Sequence, residues 1–251
     1  MSNTSRVDKE LFRNEHYLGK PADDTDRIIT RRIEILETFE DFFHNNLSLV
    51  EAGCGNGATI NKIASKFKDA LGIDLFDYSK EFLQTKIKSG ALNSDFLQID
   101  LEKEIPEKKF HRLISFEVIE HLKDEASVKN YSDLLHSGGL AAISVPNKWW
   151  IFETHGAKLP ILPWNRVPFF SWLPRFIHSK YANARIYTRK RIIKLLEQSG
   201  FEVLNTCYIT APMDVLKEGK IKSFLIKNVF KNNTTKIPFL STSIMVFARK
   251  K

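Results

Sequence analysis

Three glycines spaced two apart, Gly53, Gly55 and Gly57, follow a short apolar run, Leu47-Ser48-Leu49-Val50, and precede a segment, 59–67, that reads as a helix. A glycine turn between a strand and a helix lets the backbone approach a ligand closely, and it aims the N–H groups of the helix end at that ligand. The pattern that follows is alternation. Segments 69–74, 92–99, 112–117, 140–145 and 201–209 read as further buried strands, and 242–248 as a last one. Helical segments lie between them: 78–89 stopped by Gly90, 125–135 ended by Gly138-Gly139, and one capped by Thr188 and ended by Gly200. Strands and helices alternating at this spacing predict an α/β fold with a doubly wound, seven-stranded, mostly parallel sheet, six strands parallel and the last antiparallel. Upstream, Ile28, Ile29, Ile33, Leu36, Phe39 and Phe43 recur at helical spacing behind a first turn at Asp23 to Asp26. Residues 1–46 therefore read as an N-terminal helical cap, loose over the first twenty, and 47–251 as the main domain.

The glycine spacing alone is also compatible with a nicotinamide nucleotide, because Ala58 is tolerated in that fingerprint. Neighbouring acids favour a different ligand. Glu51 puts a carboxylate beside the loop, which suits the sulfonium and amino groups of S-adenosylmethionine and would repel a pyrophosphate. Asp74 ends the second strand in Gly72-Ile73-Asp74-Leu75, where a carboxylate can accept both ribose hydroxyls. Asp100 ends the third strand and can accept from an adenine amino group, with Leu101 packing on the ring.

With these residues in order at successive strand ends, the chain resembles the Rossmann-like class I methyltransferases, in the methyltransferase type 11 group that includes ubiquinone-pathway O-methyltransferases. The resemblance covers roughly 45–145 and 188–209. It implies a methyl-transferring enzyme with S-adenosylmethionine as co-substrate. Glu51, Gly53, Cys54, Gly55 and Gly57 would form the loop at the methionine end, Asp74 and Leu75 would hold the ribose, and Asp100 and Leu101 the adenine.

The fourth strand runs into Glu117-Val118-Ile119-Glu120-His121. C-terminal strand ends of a parallel sheet form the ligand crevice, so these residues are expected beside the sulfonium. Glu117 is expected to touch the cofactor, and Glu120 and His121 to take part in the chemistry. A hydroxyl becomes a useful nucleophile once its proton leaves, and a neutral histidine can accept that proton. The same E-x-x-E-H run resembles metal-holding subgroups, ubiquinone-pathway O-methyltransferases and methyltransferases of small-RNA 3′ ends. It also resembles enzymes with no known metal, so a divalent ion is left open and no metal ligand is assigned. His155 reads either as a further base or ligand, or as a surface-loop histidine.

Two irregular segments break the alternation, 146–187 after strand five and 211–240 after strand six. The first holds all four tryptophans, five of the nine prolines and a net charge of +5; the second holds six lysines against two acids, +4. The whole chain is +8, so the remainder is close to neutral and the basicity sits in the insertions. Trp149, Trp150, Phe152, Trp164, Phe169, Phe170, Trp172 and Phe176, interleaved with Arg166, Arg175 and Lys180, have the composition of a membrane-interface anchor, a hydrophobic lid or an RNA-stacking platform. Ile221, Phe224, Leu225 and Val229 fit one face of a short basic amphipathic helix. The favoured acceptor is a hydrophobic or lipid-linked small molecule O-methylated near an anionic membrane. RNA 2′-O-methylation and a non-catalytic, cofactor-binding accessory protein are the alternatives. Two cysteines, Cys54 and Cys207, make no disulfide framework, and the polar N-terminus has no signal-peptide core. The expected location is cytoplasmic, with peripheral attachment to the inner membrane face.

Overall fold

The computed structural model describes residues 25–153, 155, 157, 167–214, 216–217 and 219–251. The expected first-turn residue Asp23, the loose N-terminal twenty, Trp164 and Arg166 lie outside these residues. The first helix, α1 (Arg27–Glu37), is followed by β1 (His44–Ala52), α2 (Ile60–Ile63), β2 (Phe67–Asp74), α3 (Ser79–Ser89), β3 (Ser94–Gln98), β4 (Phe110–Phe116), α4 (Val128–Asp133) and β5 (Leu135–Pro146). The chain continues through α5 (Arg175–Tyr181), α6 (Arg189–Gln198), β6 (Phe201–Thr210), α7 (Lys220–Asn228), β7 (Thr234–Thr235) and β8 (Ser241–Lys250).

One eight-stranded sheet has the order β3-β2-β1-β4-β5-β8-β6-β7. Strands β1 to β5 pair in parallel, while β8 runs antiparallel between β5 and β6. The eighth strand, beyond the seven expected, is β7, a two-residue piece of the second insertion that pairs with Tyr208 and Ile209. Adjacent residues of each strand serve opposite faces. Val50, Leu113, Ile143 and Val246 pack with Tyr131 and Leu134 around α4 and with Ile192 and Leu196 of α6. Their neighbours Leu49, Ile114, Ala142 and Phe247 pack with Ile35, Leu36, Ile60, Ile63 and Phe82 from α1, α2 and α3. Burial on both faces makes these strands read as apolar runs rather than alternating ones. Among the described residues no helix is long and apolar enough to cross a membrane.

Three of the differences from the expected boundaries have a local reason. Helix α1 stops at Glu37 rather than Phe43, where Thr38 returns its N–H and hydroxyl to Ile35 O. The phenylalanines beyond it still reach the core, Phe39 against Phe247 at 4.4 Å between ring centroids and Phe42 against Phe67 at 6.3 Å, so their spacing imitates more helix. The expected 125–135 helix is a 3₁₀ turn followed by α4, and β5 already starts at Leu135. Gly138-Gly139 do not end a helix. They sit in a bulge of β5, where pairing jumps from Phe110–Leu135 to Arg112–Leu140 and Gly138 takes φ 77°. The cap of α1 is supplied from afar: Ile28 N donates to Asp214 Oδ2 of the second insertion at 3.2 Å.

The two insertions leave the C-terminal ends of β5 and β6 and pack on each other. Trp150, Ala211 and Phe230 form a small core joined by Met213, Leu225 and Leu240, and the rings of Trp172 and Phe239 lie 5.4 Å apart. Arg31 fastens the second of them to α1. Its guanidinium is 1% exposed and donates to Thr210 O at 2.6 Å, to Ala211 O at 3.2 Å and to Phe230 O. Burial, followed by the repulsion of Arg27, lowers its pKa to about 10. Replacing it strands three buried carbonyls. Arg31→Met is expected to cost about 3 kcal/mol or more in urea unfolding, against little for Arg249→Met, whose partner Glu202 is exposed; equal losses would mean that the clasp contributes nothing.

Candidate active site

The sheet order reverses between β1 and β4, and a crevice at such a switch point is where a doubly wound sheet takes its ligand. Three features build the near wall from the sequence upward. The chain leaves β1 and turns on Gly53 (φ 75°), Gly55 (φ 50°) and Gly57 (φ 76°), the left-handed region that glycine adopts without steric cost. A Cβ on Gly53 would sit 2.3 Å from Val118, so no other residue fits there. Gly55 N then donates to Asp74 Oδ2 at 2.8 Å, and Phe76 N to Asp74 Oδ1 at 3.1 Å, which ties the loop to the end of β2. Burial raises the Asp74 pKa against the pull of these hydrogen bonds.

Glu51 is 3% exposed and accepts from Ile60 N at the start of α2, at 3.0 Å. Burial pushes its pKa up to about 8, opposed by that hydrogen bond and by Arg32. The cavity between β1, β2 and β4 has a volume of about 360 Å³. Of the residues expected to hold a cofactor, Glu51, Gly53, Cys54, Gly55, Asp74, Leu75, Asp100, Leu101 and Glu117 all line it. Gly57 does not. It faces Asn61 and Phe82, where a Cβ would come within 2.6 Å of both side chains, so its part is the turn into α2. Cys54 is buried, and its thiol is pushed up by burial. Asp100 takes Glu102 N on one oxygen and Lys103 Nζ on the other, at 3.0 and 2.8 Å.

Glu117 ends β4 in a strained conformation, φ 60° on a non-glycine residue; such strain costs about 1–3 kcal/mol and gathers at functional sites. It is held by Ser144, whose hydroxyl donates to Oε1 at 2.8 Å, and by Arg32 Nη2 at 3.5 Å. Glu117 is thus tied to Ser144 and Arg32 and is not among the ligand atoms that converge with Glu120 and His121. The partner of that pair is instead His155, which lies against the cavity and not on an open loop surface. Glu120, His121 and His155 bring one ligand atom each within 4.8 Å of one another. Glu120 Oε1 is 3.4 Å from His155 Nε2, and the two imidazole rings meet edge to face at 4.9 Å. Among the described residues, both oxygens of the fully buried Glu120 and Nδ1 of His121 lack a hydrogen-bond partner. Burial, followed by Glu117, pushes the Glu120 pKa well up. Burial, followed by His155, pushes that of His121 well down. Glu120 itself lies behind the wall and does not line the cavity; His121 and His155 do.

Sequence reasoning missed Arg32, which is buried over the Phe116 ring at 5.4 Å and lines the cavity. Its signal was present: it falls four residues after Ile28 and four before Leu36, on the apolar stripe of α1. Burial lowers its pKa, and Glu117, Glu120 and Glu51 oppose that shift.

The chain belongs to the methyltransferase-domain family, whose model matches residues 9–206. It is similar to a probable S-adenosylmethionine-dependent methyltransferase of Mycolicibacterium smegmatis, 28% identical over 63% of this chain and 53% of the relative. It is likewise similar to a ubiquinone biosynthesis O-methyltransferase of Pelagibacter ubique, 28% identical over 51% of this chain and 54% of the relative. The chain thus spans just over half the length of these two relatives. The crystal structure of an S-adenosylmethionine-dependent methyltransferase from Mesorhizobium loti shares the fold, with a TM-score of 0.59 at 17% identity over 88% of this chain and 98% of that one.

A carboxyl whose folded pKa is raised disfavours the ionised folded state, so its share of stability falls as pH rises from the unfolded value near 4.5 through about 8. Glu51→Gln keeps the acceptor for Ile60 N and removes that fall. The variant's advantage over the natural chain in urea unfolding is expected to be near zero below pH 4.5 and to grow to on the order of 3–5 kcal/mol above pH 8. An advantage that stays flat with pH would mean that burial of this carboxylate is not the cause.

Proposed function

We propose that the chain is an S-adenosylmethionine-dependent methyltransferase that methylates an oxygen of a hydrophobic or lipid-linked small molecule. The observation that carries this reading is one cavity with two chemically different ends. Buried acids and a glycine loop line one end, and the His121–His155 pair, backed by Glu120, closes on the other.

The cofactor end fits S-adenosylmethionine, which supplies a methyl group on a sulfonium. Glu51 is an acid kept uncharged by burial until a cation arrives beside it. Each oxygen of Asp74 takes one backbone N–H and keeps a lone pair for a ribose hydroxyl. Asp100 and Leu101 are assigned to the adenine, and Gly53, Cys54 and Gly55 to the methionine end, with Glu117 at the cofactor's edge. Helix α1 caps this end through Ile28, Ile29 and Arg32. At the acceptor end, a neutral imidazole of His155 or His121 takes the acceptor's proton, and Glu120 beside His155 stabilises the cation so formed. Alignment of acceptor and methyl group supplies the remaining acceleration. A hydroxyl acceptor is further supported by the Pelagibacter ubique relative, whose name specifies O-methylation.

A second reading concerns a divalent ion. One carboxylate and two imidazoles converge, with orphaned buried atoms on Glu120 and His121. These donors suit Mg²⁺, Mn²⁺ or Zn²⁺, and when bound such an ion would supply Lewis acidity to the acceptor oxygen.

The rim supports delivery from an anionic membrane. Phe176, Ile221 and Phe224 are 76%, 77% and 63% exposed on the insertions that carry the chain's positive charge. The RNA reading is weaker, because lysines and bulky aliphatics dominate the described part of the second insertion.

Three experiments test the reading. In calorimetry at pH 7 in buffers of different ionisation enthalpy, S-adenosylmethionine is expected to bind with proton release from Glu51, and Glu51→Gln to weaken binding about 10–100-fold; binding without proton release, at unchanged affinity in the variant, overturns the cofactor assignment. Tritiated methyl transfer to a total extract split into lipid, RNA and small-molecule fractions is expected to label the lipid or small-molecule fraction, and His121→Ala or His155→Gln to reduce labelling about 100-fold or more. Label confined to RNA overturns the acceptor class. Flotation with vesicles is expected to recover the protein with anionic but not with neutral lipid, and equal recovery from both sinks the membrane part.

A further inference from the structure

His155 itself belongs to no helix or strand, yet its backbone is gripped at both ends. Its N–H donates to Glu153 Oε1 at 3.4 Å, and its carbonyl accepts from Asn183 Nδ2 at 3.0 Å. Glu153 uses its other oxygen on His178 Nε2 of α5, at 2.7 Å. Glu153 and His178 are 1% and 2% exposed, deep in the aromatic insertion, and neither lines the cavity. A polar pair in such a place is seldom there for stability, since apolar side chains of similar bulk would serve the fold as well or better. Its geometry answers a different need, because one carboxylate joins the helix to the loop that carries His155. Two residues beyond Asn183, Arg185 holds the opposite side of the cluster. Its backbone N–H donates to Glu120 O at 3.3 Å, and its guanidinium to Leu122 O and, at 2.9 Å, to Lys123 O. One short stretch, 178–185, therefore fixes His155 from above and the Glu120–His121 turn from below.

We propose that Glu153, His178 and Asn183 are positioning residues, a frame built on α5 that sets the His155 ring against Glu120 and His121. The proposal deepens the reading of His155 as an acceptor-end base and rests on it for its purpose. The frame itself can be measured without turnover. Ring ¹⁵N signals of His155, assigned by their loss in His155→Gln, are recorded in the full chain for Asn183→Ala and Glu153→Gln. Ser171→Ala serves as control: it removes a buried hydrogen bond in the same insertion that goes to Trp150 O rather than to His155. The expected result is that the His155 signals shift and broaden in the two frame variants and stay in place in the control, while S-adenosylhomocysteine keeps its affinity in all three. Unchanged His155 signals in both frame variants overturn the proposal, as does an equal change in Ser171→Ala. Should Glu153→Gln fail to fold, Asn183→Ala, which loses one hydrogen bond, decides alone. A His155→Gln enzyme with full methyl transfer would overturn the base assignment instead, and the ring signals would still judge the frame.

Discussion

Buried carboxylates outnumber buried cations around one cavity, and much of the molecule is arranged about that imbalance. Glu51, Glu117 and Glu120 all act on one buried guanidinium, Arg32. An ionised group in such a place is costly unless it is paired. The chain meets the cost in three ways. Glu117 takes the ion pair and the Ser144 hydroxyl. Glu51 takes a helix N–H and keeps its proton to about pH 8. The Glu120 carboxyl is pushed well up, and among the described residues its oxygens find no hydrogen-bond partner in another residue. A site so short of positive charge is prepared for a cationic ligand, and each such ligand would relieve a penalty already present in the empty fold.

The parts legible in the sequence are those where backbone chemistry leaves a residue-level trace. Glycines at 53, 55 and 57 are required by left-handed φ values and by the approach of Val118 and Phe82, and apolar runs mark strands buried on both faces. The parts that were not legible arise from contacts far apart in sequence. Arg31 looks like an ordinary helix-surface arginine until the carbonyls at 210, 211 and 230 arrive to meet it. Asp214 caps a helix 186 residues upstream. For His155 the sequence left two readings open, a further base or ligand and a surface-loop histidine, because its neighbourhood is defined by the distant Glu120, His121 and Asn183. The E-x-x-E-H run marked Glu117 for the cofactor and Glu120 and His121 for the chemistry, but nothing in it announced the positive φ at Glu117 or its contact with Arg32.

The insertions are not appendages to a finished core. The second one caps and clasps α1, and α1 in turn supplies Arg32 to the cavity wall. The first one supplies His155 and, through Arg185, braces the turn that carries Glu120 and His121. Loops on a sheet rim commonly carry specificity. Here they also complete the site, so lengthening or exchanging them would alter the cavity as well as the surface around it.

The two ends of the cavity are joined by a steric contact as well as by charge. The ideal Cβ position of Gly53 lies 2.3 Å from Val118 Cγ2. Val118 is β-branched and stiff at χ1, and it stands between strained Glu117 and the turn bearing Glu120 and His121. A side chain on Gly53 would therefore press on the segment that presents the acceptor-end residues, besides distorting the loop. The glycine loop and the 117–121 turn occupy mutually determined positions, and the narrowness of that contact explains why both strand ends must keep their backbone geometry.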